Sequence, residues 1–590
     1  MILKKINQIL PANIKVDLTI LYFLIVFAAL LELISLGLIP LFISYILSEN
    51  LSSMFENFNI IFILNYLPGD NIIIKLSVII FIIFLFKLIY MIFLSYYELV
   101  VIRKLKLFFS RNIYSSYLNK DYNFFLRKNS AELSRNIINE TENAVNFLSC
   151  ILSISREIFL IFVIGFLLII FDPVVTLIGI LITSLFVLIF YLQTDKKIKK
   201  IASFRIRLQG DLFKHVIETF SIIKDIKIYS KENFFTKKLI NIRSDLDKYL
   251  LKRDFYIKLP KIVFEFLAVT LIVFLIVIFT LLNKNTGELF TLLSLMAVAV
   301  VRLLPSFNQL SISFALFGSY KKSFEIISKD IEIYFSKTKT QQKFNSLGKL
   351  KQSNNNLIDI KIDKVLFYYD EKKNAILKDI SLEIKRGEMI GLVGKSGAGK
   401  STLINVILNL LEPQKGKVTF PNQKKCGFVP QDIFLLDTTL KNNIALGQKD
   451  EDIDQKKLDD VIHKSELTNF VKKHNKGFDL VLGERGIRIS GGEKQRIGLA
   501  RTLYSDKQII ILDEATSSLD NYTEKLIMDS IINLKKELTI IIVAHRLTTL
   551  RHCDRVIYLE EGCIKDQGKL EYLLQKFPNL NIDVKSKNDK

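Results

Sequence analysis

Between Leu18 and Leu47 the only charged residue is Glu32. A helix rises 1.5 Å per residue, so about 20 apolar residues cross the hydrocarbon of a bilayer. That stretch therefore reads as a membrane-spanning helix. A secretory signal would pair an apolar core of ~7–15 residues with a small-residue cleavage site, and neither is found. Further apolar runs fall at about Ile72–Ile102, Phe147–Phe171, Pro173–Leu192, Ile262–Leu282 and Leu289–Phe317. Six spans put both ends of this region on the same side.

Charge decides the orientation, because Lys and Arg are retained on the cytoplasmic side. The first outer connection, Ser48–Asn71, has no Lys or Arg but carries Glu49, Glu56 and Asp70. The next turn adds Asp172, and the last holds Lys284 and Glu288. The N-terminus and everything after the sixth span are expected in the cytoplasm, which makes this a multi-pass protein of the cell (inner) membrane. The chain as a whole has 81 Lys+Arg against 59 Asp+Glu, a net charge of +22. Such an excess alone suits nucleic acid or an anionic membrane face. The apolar runs choose the membrane, and no nucleic-acid partner is expected. Cys150, Cys426, Cys553 and Cys563 are too few and scattered for a disulfide framework or zinc ribbon.

Around Arg103–Thr141 and Asp195–Asp254 apolar residues recur at helical spacing among Lys and Arg, as in helices continuing out of the membrane; solvated linkers are the alternative. From Phe335 to Asn356 the periodicity gives way to Lys, Gln, Ser and Asn, the composition of a linker. Beyond it come short β-branched strands, Leu357–Ile362, Glu388–Val393, Ile509–Leu512 and Thr539–Val543, alternating with helical stretches. The expected organisation is multi-domain: an all-α six-helix transmembrane domain (1–335), a linker (336–356), an α/β P-loop nucleotide-binding domain (357–580) and a basic polar tail (581–590).

The chemistry lies in that second domain. Gly394-Lys395-Ser396-Gly397-Ala398-Gly399-Lys400-Ser401-Thr402 follows a strand and opens a helical run. In that setting backbone N–H groups cradle phosphate, Lys400 offers a charge to the β- and γ-phosphates, and Ser401 offers a hydroxyl to Mg²⁺. A glycine turn before an ordinary helix is the plainer alternative. The apolar strand Ile509–Leu512 ends in Asp513 and Glu514, suited to holding Mg²⁺ and polarising an attacking water. Two acids at a strand end could also simply begin a turn. ATP and Mg²⁺ are the expected cofactors.

These residues, with Ile489-Ser490-Gly491-Gly492-Glu493 before a helical run, resemble the ATP-binding cassette (ABC) transporters over the whole of 357–580. Ile489–Glu493 is similar to the family's LSGGQ signature, with Ile and Glu replacing its first and last residues. The resemblance implies an adenine-stacking Tyr369, a Q-loop Gln431, a D-loop from Ser517 to Asp520 and a switch His545. It also implies that each ATP is sandwiched between Lys400 of one subunit and Ser490 of another. One cassette per chain then implies a half-transporter, and with Glu514 and His545 both present a homodimer is the simpler expectation.

The order of six spans followed by a cassette resembles the ABC exporters, in which cytoplasmic extensions carry the nucleotide-driven motion. Lys120–Arg127 and Ile222–Tyr229 are the candidate coupling segments, and Gln431 is the natural relay. Tyr122, Phe124 and Phe125 serve equally as core packing.

Charges inside the spans bear on the cargo, since burying one costs several kcal/mol unless it meets a partner or a cavity. Lys87 falls about 22 Å and Arg302 about 20 Å from the outer ends of their spans; Arg156 is at a similar depth, and Lys261 is nearer the cytoplasmic edge. One reading pairs them with Glu32, Glu157 and Glu265 or lets the lysines snorkel. The other is a basic cavity of Lys87, Lys261, Arg302 and Arg156 for an anionic head group. Arg302-Leu303-Leu304-Pro305-Ser306 with Asn308, and Pro260-Lys261-Ile262 with Glu265, resemble segments of bacterial lipid-linked oligosaccharide flippases. The implied cargo is an anionic lipid-linked oligosaccharide or polysaccharide precursor. Exporters of lipid A, peptides or drugs share the cassette motifs, although the early first span argues against an N-terminal peptidase domain. A non-transporting ATPase, regulator or channel is the remaining class.

Overall fold

The computed structural model describes residues 2–48, 72–171, 173–281, 286–345, 358–369, 374–419, 426–483, 486–487, 489–514, 521–535, 537–544 and 547–578. Glu49, Glu56, Asp70, Asp172, Lys284, the 517–520 segment including Asp520, His545 and the 581–590 tail lie outside them. The chain divides into two compact units, one of residues 1–120 and 124–347 and one of residues 121–123 and 348–590.

The first unit is helical. A short helix, Ile2–Ile9, precedes six long ones: α1 (Ala12–Ser48), α2 (Ile72–Leu118), α3 (Thr141–Phe171), α4 (Pro173–Ser221), α5 (Glu232–Leu281) and α6 (Thr286–Asn345). Each apolar run of the sequence falls in one of these helices in turn. Among the described residues, stretches in α1, in α2 and from Ser130 into α3 are long and apolar enough to cross a membrane. Exposed Phe81, Phe86, Leu88 and Ile89 give α2 an apolar outer face, as expected where lipid rather than water surrounds the helix. Inside, α1, α2, α3 and α6 interlock through Leu21, Leu105, Phe109, Phe147 and Ile327, and Phe147 stacks on Phe324 at 4.9 Å.

The polar stretches between spans are helical continuations, as their periodicity implies. No proline interrupts α2 before Leu118 or α4 before Ser221. The helices Tyr122–Arg127 and Ile223–Ile228 fall within the two candidate coupling segments. Before α3 begins, Asn136–Glu140 forms a π-helical turn. There Glu140 is fully buried, with guanidinium nitrogens of Arg135 and Arg205 at 3.9 and 3.8 Å. The 336–345 segment, expected as linker, instead extends α6 to Asn345. Composition misleads here because its Lys, Gln, Ser and Thr are polar but do not break a helix, and neither Pro nor Gly is present.

The second unit is α/β. A six-stranded sheet has the order β5-β6-β7-β3-β8-β9. It comprises β3 (Met389–Val393), β5 (Cys426–Val429), β6 (Ile509–Asp513), β7 (Thr539–Val543), β8 (Arg555–Glu560) and β9 (Cys563–Gly568). All neighbouring pairs are parallel except β8 with β9. The strands β3 and β7 are buried throughout, as strands covered on both faces must be. A three-stranded antiparallel sheet, β2-β1-β4, is formed by β1 (Ile358–Phe367), β2 (Leu377–Lys385) and β4 (Lys415–Thr419). Its alternating buried residues share a core with Ile390, Leu392 and Ile541. The carboxyl ends of β3, β6 and β7 therefore lie side by side, the edge at which open α/β sheets bind ligands.

Candidate functional site

Strand β3 ends at Val393, and α7 (Lys400–Ile407) begins six residues after Gly394. Two glycines make the intervening loop possible. A Cβ on Gly394 would lie 2.1 Å from the Leu559 carbonyl oxygen. Gly399, the N-cap of α7, has φ +102°, a left-handed conformation that favours glycine. Ala398 is buried, while Ser396, Gly397 and Ser401 face solvent. Thr402 is buried, and its hydroxyl lies 3.4 Å from the Tyr369 hydroxyl, which seats that ring beside the start of α7. Phe367 meets Tyr369 edge-on at 5.0 Å.

Lys400 is almost wholly buried, and its Nζ donates to the carbonyls of Gly394 at 2.7 Å and Lys395 at 3.1 Å. Burial lowers its pKa below the ordinary lysine value; the carboxylates of Glu514 and Asp513 partly oppose the shift. Those acids reach it by the sheet: β6 carries Asp513 to the edge in register with Val543, and β7 lies between β6 and β3. Glu514 has φ +48°, held by its N–H donating to the Val543 carbonyl at 3.0 Å. From β5, Gln431 reaches the same edge and donates from Nε2 to Glu514 Oε2 at 2.8 Å. Lys400, Asp513, Glu514 and Gln431, spread over more than a hundred residues of sequence, thus meet at one site.

The Ser490 segment opens α8 (Gly491–Tyr504). Ser490 is its N-cap and forms a reciprocal capping box with Glu493. Both the N–H and the hydroxyl of Ser490 donate to Glu493 Oε2 at 2.8 Å. Gly491 and Gly492 occupy the exposed to half-buried first turn. The roles given to Asp520 and His545 concern residues outside the described ones.

Within the helical unit, three of the four intramembrane cations cluster, but each is paired. Glu32, 2 % exposed, lies 2.9 Å from Lys87 Nζ and 2.5 Å from Arg302 Nε, so one carboxylate joins α1, α2 and α6. Lys87 also donates to Ser35 Oγ at 3.0 Å. Arg156 pairs with Glu98 at 3.2 Å and Glu157 at 3.1 Å. Glu32, Glu98, Glu157, Arg156, Arg302 and Asn308 help line a cavity of about 430 Å³. Lys261 is not among its lining residues; it is largely exposed and lies 3.8 Å from Glu265. The expected basic cavity is therefore corrected: its lining sets Arg156 and Arg302 against Glu32, Glu98 and Glu157, and neither Lys87 nor Lys261 is among the lining residues. Cations this far from bulk water require counter-ions, and the acids of the same spans supply them. The partner missed from the sequence was Glu98, whose only signal was being an acid at the end of an apolar run.

Comparison with known proteins agrees with this anatomy. Residues 22–303 match the family model of the ABC transporter transmembrane region, and residues 377–517 that of the ABC transporter. Among curated relatives, the ATP-dependent lipid A-core flippase of Coxiella burnetii is 38% identical over 226 residues, covering 36% of this chain and 38% of that protein. The heterocyst differentiation ATP-binding protein HepA of a Nostoc species is 31% identical over 372 residues, covering 61% of this chain and 59% of its own length. The leukotoxin translocation ATP-binding protein LktB of Mannheimia glucosida is 37% identical over 236 residues, covering 38% of this chain and 33% of its own. The chain thus spans from about a third to three fifths of the length of these relatives. Among solved structures, a bacterial Atm1-family ABC exporter with ATP bound superposes with a TM-score of 0.77 at 19% identity, covering 98% of this chain and all of that one.

Proposed function

The chain belongs to the ABC transporters, and from that premise we propose that it hydrolyses ATP to export an amphipathic lipid-linked substrate across the cell membrane, working as a dimer of identical chains. The observation that carries the proposal is the Gln431–Glu514 hydrogen bond, 2.8 Å long, formed at the sheet edge beside the phosphate loop. A glutamate fixed there is suited to accept a proton from water as the water attacks the γ-phosphorus; the bond to the β-phosphate oxygen breaks and ADP leaves.

The loop from Gly394 to Ser401 binds the phosphates through backbone N–H groups. Lys400 exchanges its two carbonyl acceptors for β- and γ-phosphate oxygens, Thr402 anchors the start of α7, and Tyr369 stacks on adenine. The Ser401 hydroxyl, the Gln431 carbonyl and the Asp513 carboxylate are hard oxygen donors of the kind Mg²⁺ takes. Ser401 is exposed, and the Gln431 amide nitrogen is the atom that engages Glu514, which leaves its oxygen available. Bound there, Mg²⁺ would neutralise phosphate charge. Ser490, Gly491 and Gly492 of the second copy close over the nucleotide. His545 orients the γ-phosphate, and Asp520 aligns the two halves. Gln431, touching the hydrolytic glutamate, is the candidate relay of the nucleotide state.

An anionic lipid-linked oligosaccharide or polysaccharide precursor is the cargo we favour, taken from the inner leaflet with the cassettes in the cytoplasm. Support comes from the polar cavity among the apolar spans of the helical unit, and from a flippase among the relatives. The pairing of Lys87, Arg302 and Arg156 with carboxylates favours a second reading, in which the head group has little net charge. Proteoliposomes offered polyprenyl-pyrophosphate glycans, lipid A and neutral amphiphiles side by side, with ATPase stimulation and flipping both measured, test the two. Export of the pyrophosphate glycan alone supports the first; preference for the neutral amphiphile supports the second.

A further inference from the structure

The capping box at the start of α8 ends in a carboxylate where the LSGGQ signature it resembles has a neutral amide. Glu493 Oε2 accepts from both the Ser490 N–H and the Ser490 hydroxyl, each at 2.8 Å, and the Glu493 N–H donates back to Ser490 Oγ at 3.3 Å. All of Ser490's donors are thereby spent on one carboxylate. Among the described residues no Lys or Arg forms an ion pair with Glu493, and the positive end of α8 favours its charge. The site is exposed, not a sealed structural joint.

We propose that Glu493 is a positioning residue that acts through Ser490 as a resident anion, holding the hydroxyl that the terminal phosphate of a nucleotide must take over and thereby weakening ATP capture. The inference rests on the composite nucleotide site proposed above and adds a built-in brake to it. Two anions cannot share one serine hydroxyl proton, and both seek the same helix terminus. A bound triphosphate must therefore displace the carboxylate and sit near it, and like charges a few ångströms apart repel even when partly solvated. A neutral amide in that place would still accept from Ser490 without opposing the phosphate.

The test uses the full chain in proteoliposomes, with steady-state ATPase measured against ATP concentration for the parental protein and for E493Q, E493A and S490A. The expected result is a KM for ATP about five-fold lower in E493Q, with kcat not reduced. E493A should lower KM at least as far and should also lower the thermal midpoint, since the cap acceptor is lost. S490A should raise KM. If E493Q leaves KM unchanged or raises it while S490A raises it, the composite site stands and the brake is overturned. A parental KM in S490A overturns both.

Discussion

Gln431 and Glu514 are separated by 83 residues of sequence, yet their side chains share a 2.8 Å hydrogen bond at the edge where β5 and β6 end. The bond ties the glutamate's position to that of the loop after β5. Replacing Glu514 by Gln should preserve ATP binding and reduce turnover by about 10²- to 10⁴-fold. Nucleotide-binding isotherms run beside phosphate release check this; parental turnover in the variant would remove Glu514 from the role of base.

The buried ion cluster on Glu32 predicts an asymmetry. Glu32→Gln leaves Lys87 and Arg302 without their shared counter-ion and should destabilise the helical unit by roughly 3–5 kcal/mol. Replacing Glu32, Lys87 and Arg302 together by Leu, Met and Met should cost far less, because no uncompensated charge remains. Thermal unfolding in detergent, compared for the two variants, decides it; equal losses would mean that packing rather than charge dominates.

Gly394 predicts a local steric failure. An alanine there would put Cβ 2.1 Å from the Leu559 carbonyl, so the loop must shift away from β8, at about 1–3 kcal/mol of stability. ATP affinity should fall at least ten-fold while the six-stranded sheet persists. Circular dichroism and nucleotide titration on the same sample separate the two effects.

Lys400 predicts a pH dependence. Its pKa is lowered mainly by burial, so the folded protein gives up this proton at lower pH than the unfolded chain does. The strain of burying the charge is present below the folded-state pKa and is relieved as pH rises toward the unfolded value. Binding runs the other way, since the neutral amine attracts phosphate less. ATP affinity should therefore weaken on the alkaline side, starting below the ordinary lysine range. In Lys400→Ala that alkaline limb should be missing from the binding-versus-pH curve; its persistence would assign it to another group.

The thiol of Cys553 is pushed up to about 12, chiefly by burial, with the neighbouring Asp554 adding to the shift. It should resist iodoacetamide near neutral pH in the folded protein and react once the chain is denatured, because only the thiolate attacks. Peptide mapping after timed alkylation reads this directly.

The helices and the phosphate loop were legible in the sequence because their signals are local. A run such as Leu18–Leu47 has few stable alternatives to a spanning helix, and the order strand, glycine loop, helix is contiguous around Gly394–Thr402. The polar stretch after Phe335 misread as linker for the converse reason: solubility and helix breaking are different properties, and only the first is visible in composition. Strand β2 escaped notice because its apolar residues alternate with Lys, Glu and Asp, and β4 because Val418 is its one aliphatic side chain; the pairing of both with β1 is decided by partners far away in sequence. The ion pairs were half legible. An isolated Glu32 in an apolar run asks for a cation, but its choice of two, from α2 and α6, depends on how the spans pack. Glu98 and Arg156 likewise meet only after α2 and α3 are in place.

The 47 uninterrupted residues of α2 give it a length of about 70 Å. No proline interrupts it among residues 72–118, so its apolar and polar halves form one continuous helix. A tilt of a single degree about one end sweeps the other through roughly 1 Å, enough to make or break a hydrogen bond. A helix built this way is a mechanical lever, and its gain comes from length alone.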